Sequence, residues 1–202
     1  LSLTTASLQG ASCKGTATGS VLLAATGGTA TYQYAVNGGA LQASGSFGNL
    51  LAGTYVAQAS DANGCTASYN FSIREPDSVK VFVSNKKDVD CYGSATGSFS
   101  ILASGGTAPY VYSFNNGQYS ISNLFNGLAA GTYAVTVKDA NGCTLSQSVT
   151  LTQPTLLASG LSSQSNVKCN GSNDGNLTVE GQGGTAPYLS LIHISEPTRQ
   201  EA

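Results

Sequence analysis

The sequence predicts an all-β protein built of tandem antiparallel β-sandwich repeats, and three observations carry that reading. Apolar residues alternate with a period of two in short runs, Gly- and Asn-rich turns separate the runs, and the whole pattern recurs at one fixed interval. No segment has a helical period. The charged fraction of 9% is far below the roughly 25% of an ordinary soluble domain, so Ser, Thr, Asn, Gln and Gly must cover the surface.

The interval is 78 residues. It separates Cys13, Cys91 and Cys169, then Cys65 and Cys143, then Pro76 and Pro154, and it separates the Gly-Gly-Thr runs opening at Gly27, Gly105 and Gly183. No gap is needed. Laid on residues 79–154, residues 1–76 are identical at 30 positions, which cluster where backbone geometry is demanding rather than in the apolar runs. Internal repetition of this kind is the signature of a modular array. The expected organisation is a nearly complete repeat over 1–76, a complete one over 77–154, the opening of a third over 155–188, and a non-native tail over 189–202.

Within the second repeat, Val79, Val81 and Val83 alternate with Lys80 and Phe82, and Phe99, Ile101 and Ala103 alternate with Ser98, Ser100 and Leu102. Each run reads as a strand. Tyr110, Tyr112 and Phe114 form the next, one strand is expected over 118–125, and Tyr133, Val135 and Val137 form another before a looser run of Leu145, Gln147, Val149 and Leu151. The first repeat copies this with Val21, Leu23 and Ala25, then Tyr32, Tyr34 and Val36, then Tyr55, Ala57 and Ala59, then Tyr69, Phe71 and Ile73. Asn115-Asn116-Gly117 supplies positive φ for a tight reversal, and Asp139-Ala140-Asn141-Gly142 turns the chain before the last strand. In the third repeat, 175–180 is expected to form at most a partly paired strand.

Leu50-Leu51-Ala52-Gly53-Thr54-Tyr55 and Leu128-Ala129-Ala130-Gly131-Thr132-Tyr133 place a Tyr just after a Gly at the start of the penultimate strand. Immunoglobulin-like sandwiches put their tyrosine corner there, which makes the expected fold immunoglobulin-like. The string Cys91-x-Gly93, Gly97, Gly105-Gly106-Thr107-Ala108-Pro109-Tyr110-x-Tyr112, Leu128-x-x-Gly131-Thr132-Tyr133, Asp139-Ala140-Asn141-Gly142-Cys143-Thr144 and Gln153-Pro154 resembles the SprB-type repeat. The resemblance covers residues 1–188. It implies tandem modules of long surface adhesins of gliding Bacteroidetes and related secreted proteins. The first repeat departs in carrying Thr31 where the others have Pro109 and Pro187.

Beyond Tyr188 the register fails. Residues 190–199 resemble the translated sequencing-adapter read-through SLIHISEPTR, letter for letter over ten residues, and are set aside as a scar. Without Met, with no charged-then-apolar leader and with no apolar run of membrane-spanning length, the chain reads as an internal piece of something longer.

Several chemistries are excluded by what the chain carries. A net charge of -2 with 8 Lys and Arg lacks the basic footprint that phosphate neutralisation needs, so no nucleic acid is expected as a partner. The only His is His193, inside the tail, so no triad or His-ligated metal is expected. Asp88 and Asp90 form a carboxylate pair, but Gly10 and Ser12, and Asn166 and Lys168, hold those places in the other repeats, which favours a solvated loop. Asp61-Ala62-Asn63-Gly64 and Asp139-Ala140-Asn141-Gly142 open like calcium loops but lack the closing bidentate Glu, so turns are expected there. Gly27-Gly28 and Gly105-Gly106 precede no helix and read as reversals rather than phosphate cradles. No cofactor, metal or catalytic residue is expected.

Two Cys per repeat in a low-charge chain point to disulfides in an oxidising compartment. The pairing turns on parity. An even number of strand traversals between the two Cys of a repeat puts both at one end, whereas an odd number puts them at opposite ends and brings Cys13 near Cys143 instead. Counting the 118–125 segment as one strand gives four, which favours Cys13 with Cys65 and Cys91 with Cys143, and leaves Cys169 unpaired by truncation. The expected function is a non-catalytic module of an extracellular adhesin on a bacterial cell surface, with neighbouring repeats and a surface glycan or polysaccharide as partners. The competing expectation is a spacer or carbohydrate-binding repeat of a secreted multidomain enzyme, which an aromatic platform from Tyr32, Tyr34, Tyr110, Tyr112, Phe114 and Tyr119 would favour.

Overall fold

A computed structural model describes residues 1–190, and among these every regular element is a β-strand. They fall into two compact units, one of Leu1–Ser84, Ser100–Leu124 and Tyr133–Val149, the other of Asn85–Phe99, Phe125–Thr132 and the chain from Thr150 onward. The adapter-like segment beyond residue 190, His193 included, lies outside the described residues.

The first repeat contains β1 (Ser2–Gln9), β2 (Gly19–Thr26), β3 (Gln33–Val36), β4 (Ser46–Leu50), β5 (Gly53–Ser60) and β6 (Thr66–Ile73). They form two antiparallel sheets, ordered β1-β2-β4 and β3-β5-β6. The alternation read from sequence decides which faces meet: Leu3, Val21 and Leu23 from one sheet and Tyr34, Ala57, Ala59, Phe71 and Ile73 from the other form a single buried cluster. Two sheets sharing one apolar layer make a β-sandwich, and successive strands switching between sheets give it the Greek-key order of immunoglobulin-like domains. Tyr55 donates its hydroxyl to the Leu51 carbonyl at 2.8 Å and stacks on Phe71 with ring centroids 5.3 Å apart, which is the tyrosine-corner arrangement.

The second repeat runs through β7 (Lys80–Lys87), β8 (Gly97–Ser104), β9 (Val111–Phe114), β10 (Tyr119–Ser120), β11 (Leu124–Leu128), β12 (Gly131–Lys138) and β13 (Thr144–Leu151). Its sheets are ordered β11-β8-β7 and β10-β9-β12-β13. Phe99, Ile101, Val135 and Val137 are fully buried. Asn115 and Asn116 carry the positive φ of the β9–β10 turn, closed by the Gly117 N–H on the Phe114 carbonyl at 2.9 Å. The one strand expected over 118–125 is in fact two. β10 lies beside β9 and β11 beside β8, so the chain returns along one sheet and then changes to the other. The first repeat does the same with a single bridge, Tyr34 to Gln42, before β4. The switch falls at equivalent residues: the Leu23 N–H reaches the Gly45 carbonyl at 2.8 Å, and the Ile101 N–H reaches the Asn123 carbonyl at 2.9 Å.

In the third repeat β15 (Asn176–Gln182) is paired along its length with β14 (Ala158–Ser165), the counterpart of β1, but on that edge alone among the described residues, whereas β2 and β8 have partners on both edges. The resemblance extends to a register irregularity, between Thr5 and Ser7 in β1 and between Leu161 and Ser163 in β14, two periods apart.

Gly28 is held at φ +70°, and a Cβ there would sit 2.6 Å from Asp61 Oδ2, whereas Gly15 at φ +72° has open space around it. Gly28→Ala is expected to cost more than Gly15→Ala, which carries only the roughly 1–2 kcal/mol of a left-handed non-glycine residue. Urea unfolding of the two variants checks the order.

Candidate functional site

The turn before the last strand is organised by one carboxylate. Asp139 accepts the N–H groups of Asn141 at 2.9 Å and Cys143 at 2.8 Å on Oδ1, and that of Thr107 at 2.8 Å on Oδ2. Asp61 accepts Asn63, Cys65 and Thr29 in the same way, at 3.0, 2.9 and 3.0 Å. Both aspartates are buried. The Thr29 amide above all, with those of Cys65 and Asn63, holds the Asp61 carboxyl below its ordinary value against the opposing effect of burial. A carboxylate that accepts three amide donors locks the turn around it.

Asn63 and Asn141 extend the lock, each donating from Nδ2 to a threonine hydroxyl, Thr29 at 2.9 Å and Thr107 at 3.0 Å. The lock therefore pins the Gly-Gly-Thr turn to the Asp-Ala-Asn-Gly-Cys turn and fixes where the cysteine stands. The Gly-Gly-Thr turn closes identically three times, with Tyr32, Tyr110 and Tyr188 donating to the carbonyls of Gly27, Gly105 and Gly183.

The other cysteine of each repeat sits on the loop before its second strand. The Thr16 N–H and hydroxyl both donate to the Cys13 carbonyl, and the Gly15 N–H donates to Glu75 Oε2 at 2.6 Å. In the second repeat Ser94 and Gln153 do the corresponding work for Cys91 and Gly93. Glu75 was not singled out from sequence and Gln153 entered only as part of the closing Gln153-Pro154, with no role assigned, although each precedes the repeat-closing Pro and offers an oxygen at the same place.

The disulfide joins Cys13 to Cys143, with Cα atoms 5.7 Å apart, while Cys65, Cys91 and Cys169 are free and exposed. The pairs expected within repeats, Cys13 with Cys65 and Cys91 with Cys143, are not formed, and the strand count explains why. Splitting the 118–125 segment makes five traversals, and an odd number puts the two cysteines of a repeat at opposite ends. In the first repeat Cys65 adjoins the start of β6, whereas the Ala11 N–H reaches the Arg74 carbonyl just past its end. Eight strand residues separate those points, about 25 Å, against the roughly 7 Å limit for a disulfide. Beside the bond, Asn141 Nδ2 also donates to the Ser12 carbonyl at 3.0 Å.

The remaining residues singled out from sequence have structural roles. Asp88 accepts the Thr152 N–H at 2.8 Å and pairs with Lys86 at 3.3 Å; Asp90 pairs with Lys87 at 2.8 Å. The Thr152 amide chiefly lowers the Asp88 carboxyl, and Lys87 chiefly lowers that of Asp90. Two carboxylates held ionised by separate partners do not share a proton. Among the aromatics, Tyr34 and Tyr112 are buried, Tyr32, Tyr110 and Phe114 are half-buried, and Tyr119 carries Lys138 Nζ 4.0 Å over its ring. They line cores and turns, and do not form the exposed platform that sugar stacking requires.

Sandwiches turned by repeated backbone locks and joined loop to turn define a modular β-repeat protein. The family described as SprB repeat matches residues 5–41, 83–119 and 161–189, again 78 residues apart. The chain belongs to the SprB repeat family. No curated protein matches it. Among solved structures it is similar to the C-terminal 282-residue fragment of intimin in complex with the intimin-binding domain of the translocated intimin receptor, at 11% identity and TM-score 0.39 over 77% of this chain and 66% of that one. It is also similar to the amphioxus IgVJ-C2 molecule, at 14% identity and TM-score 0.32 over 64% of this chain and 92% of that one.

Two outcomes follow from the lock and the bond. Cys143→Ser is expected to cost about 2–4 kcal/mol in oxidising buffer and nothing under reducing conditions, read by denaturant unfolding in both. A lowered Asp61 carboxyl contributes stability that is present above the ordinary carboxylate range and is lost as pH falls through the lowered value. Asp61→Asn should therefore melt several degrees lower at neutral pH yet lose less stability on acidification, measured by thermal melts from neutral pH to about pH 2.

Proposed function

We propose that these repeats form a non-catalytic module of a secreted adhesin on a bacterial cell surface, extending the protein and contributing many weak contacts to a surface glycan or polysaccharide. The observation that carries this reading is repetition itself. The same cysteine loop, Gly-Gly-Thr turn and aspartate lock return every 78 residues, and the first two repeats are joined covalently. A catalytic site needs one copy of its residues, whereas length and adhesion gain from each added copy. Asp61 and Asp139 are occupied by amides, and Asp88 and Asp90 are paired with lysines, which supports a structural rather than an acid–base role for these four carboxylates. Among the described residues no helix is long and apolar enough to cross a membrane. An oxidising exterior also suits the disulfide.

The test displays the chain on beads at one or many copies and measures retention on bacterial cells and extracted polysaccharide. Retention should rise about 100-fold or more with copy number. Equal binding by single and multiple copies would remove the adhesive part of the reading, and turnover of the polysaccharide by the purified chain would remove the non-catalytic part.

A further inference from the structure

The Cys13–Cys143 junction has two halves, and each half recurs elsewhere in the chain without its partner. One half is a socket: a turn in which an aspartate fixes an Asn and a Cys. In the filled socket, Asn141 Nδ2 bonds both the Thr107 hydroxyl and the incoming Ser12 carbonyl, while Cys143 takes Cys13. The first repeat contains the same socket bond for bond. The Ala62 N–H meets the Thr29 carbonyl at 3.0 Å as the Ala140 N–H meets that of Thr107 at 2.8 Å; the Gly64 N–H meets the Asp61 carbonyl at 3.0 Å as the Gly142 N–H meets that of Asp139 at 3.1 Å. There Asn63 Nδ2 bonds the Thr29 hydroxyl, its second hydrogen has no acceptor among the described residues, and Cys65 is free and exposed.

The other half is a plug, the cysteine loop closed by a Thr or Ser on the Cys carbonyl. Thr16 closes it on Cys13 with a hydroxyl bond of 2.8 Å, Ser94 on Cys91 at 2.9 Å and Ser172 on Cys169 at 3.0 Å. Cys91 and Cys169 are free and exposed. The socket reads the plug through a backbone carbonyl, so the differing residues before the cysteine, Ser12, Asp90 and Lys168, present the same acceptor.

We infer that the Asn63–Cys65 turn is a docking socket for the cysteine loop of another copy of this repeat, and that the Cys91 and Cys169 loops are its matching plugs. The partner is therefore a second copy of this chain or a further repeat of the same kind, and the inference holds whatever the assembled surface binds. Closure is a two-electron oxidation by a small-molecule disulfide. One protein thiolate attacks that disulfide and releases one small thiol; the second protein thiolate then attacks the mixed disulfide and releases the other. Two protein thiols are oxidised, and one small disulfide is reduced to two thiols.

The experiment uses the whole chain, incubated with oxidised glutathione and followed by non-reducing electrophoresis and mass spectrometry of linked peptides. Dimers and longer chains should form, with Cys65–Cys91 and Cys65–Cys169 links exceeding their statistical share over Cys65–Cys65 and Cys91–Cys91. Asn63→Ala, and Asn63→Asp as the variant that keeps the side-chain shape but not the donor, should each slow the socket-to-plug links about fivefold, the worth of one ordinary hydrogen bond. Both should leave Cys91–Cys91 coupling unchanged, which separates loss of the donor from loss of folding. A statistical mixture of all pairings, or unchanged rates in both Asn63 variants, overturns the inference; neither result bears on glycan binding.

Discussion

Most of what this chain does with its sequence depends on a buried carboxylate that accepts three amides. Asp61 and Asp139 each gather N–H groups from their own turn and from a Gly-Gly-Thr turn 32 residues earlier. Unpaired buried amides would be costly, and a carboxylate offers two oxygens with room for several donors. The second glycine of the earlier turn must be bare for this to happen, since a Cβ on Gly106 would meet Asp139 Oδ2 at 2.5 Å. That is why identity between repeats gathers at Gly-Gly-Thr and Asp-Ala-Asn-Gly-Cys while the apolar runs drift: a core tolerates Val for Phe at equivalent places, as at Val21 and Phe99, but the lock tolerates little.

The lock gains a consequence from topology. Because the chain returns along β9 through β10 before crossing to β11, the turn that carries the second cysteine lies at the opposite end of its repeat from the loop that carries the first. A disulfide inside one repeat is then geometrically closed, and a bond from the first repeat to the second is what remains. The amide of Asn141 serves both arrangements, holding Thr107 within its own repeat and Ser12 of the other with the two hydrogens of one nitrogen.

The sequence made the β class, the strand faces, the turns and the period legible, because each is written in local chemistry: alternation in Phe99, Ile101 and Ala103, positive-φ residues at Asn115 and Asn116, and spacing between cysteines. The sheet switch was not legible. β10 is two residues long and exposed, so it has no apolar alternation to announce it, and only Gly45 hints at the crossing, where a Cβ would run into the Leu23 carbonyl. In the second repeat Asn123 stands there and caps the Ile101 carbonyl with its amide, a different residue doing the same work. Missing that switch changed the parity and hence the disulfide. The Ser12 carbonyl and the oxygens of Glu75 and Gln153 were hidden for another reason: a backbone acceptor has no letter, and Glu and Gln in loops are common.

Low charge follows from the same construction. The turns are held by side chains on backbone groups, with ion pairs at only Lys86–Asp88 and Lys87–Asp90 among the described residues, both solvent-exposed. Pairs of that kind contribute little and are screened by salt. Stability instead rests on apolar layers, buried carboxylate-to-amide bonds and a covalent junction, none of which needs a low-salt medium. The price is paid in backbone conformation: each repeat must place glycines at positive φ in the cysteine loop, the Gly-Gly-Thr turn and the turn before the last strand, at Gly15, Gly27, Gly28 and Gly64 in the first repeat and at Gly93, Gly105, Gly106 and Gly142 in the second. A chain so specified can vary the other charged and polar residues on its surface from one repeat to the next without disturbing the module, because its geometry is set by a few glycines, the two buried aspartates and the backbone groups they hold.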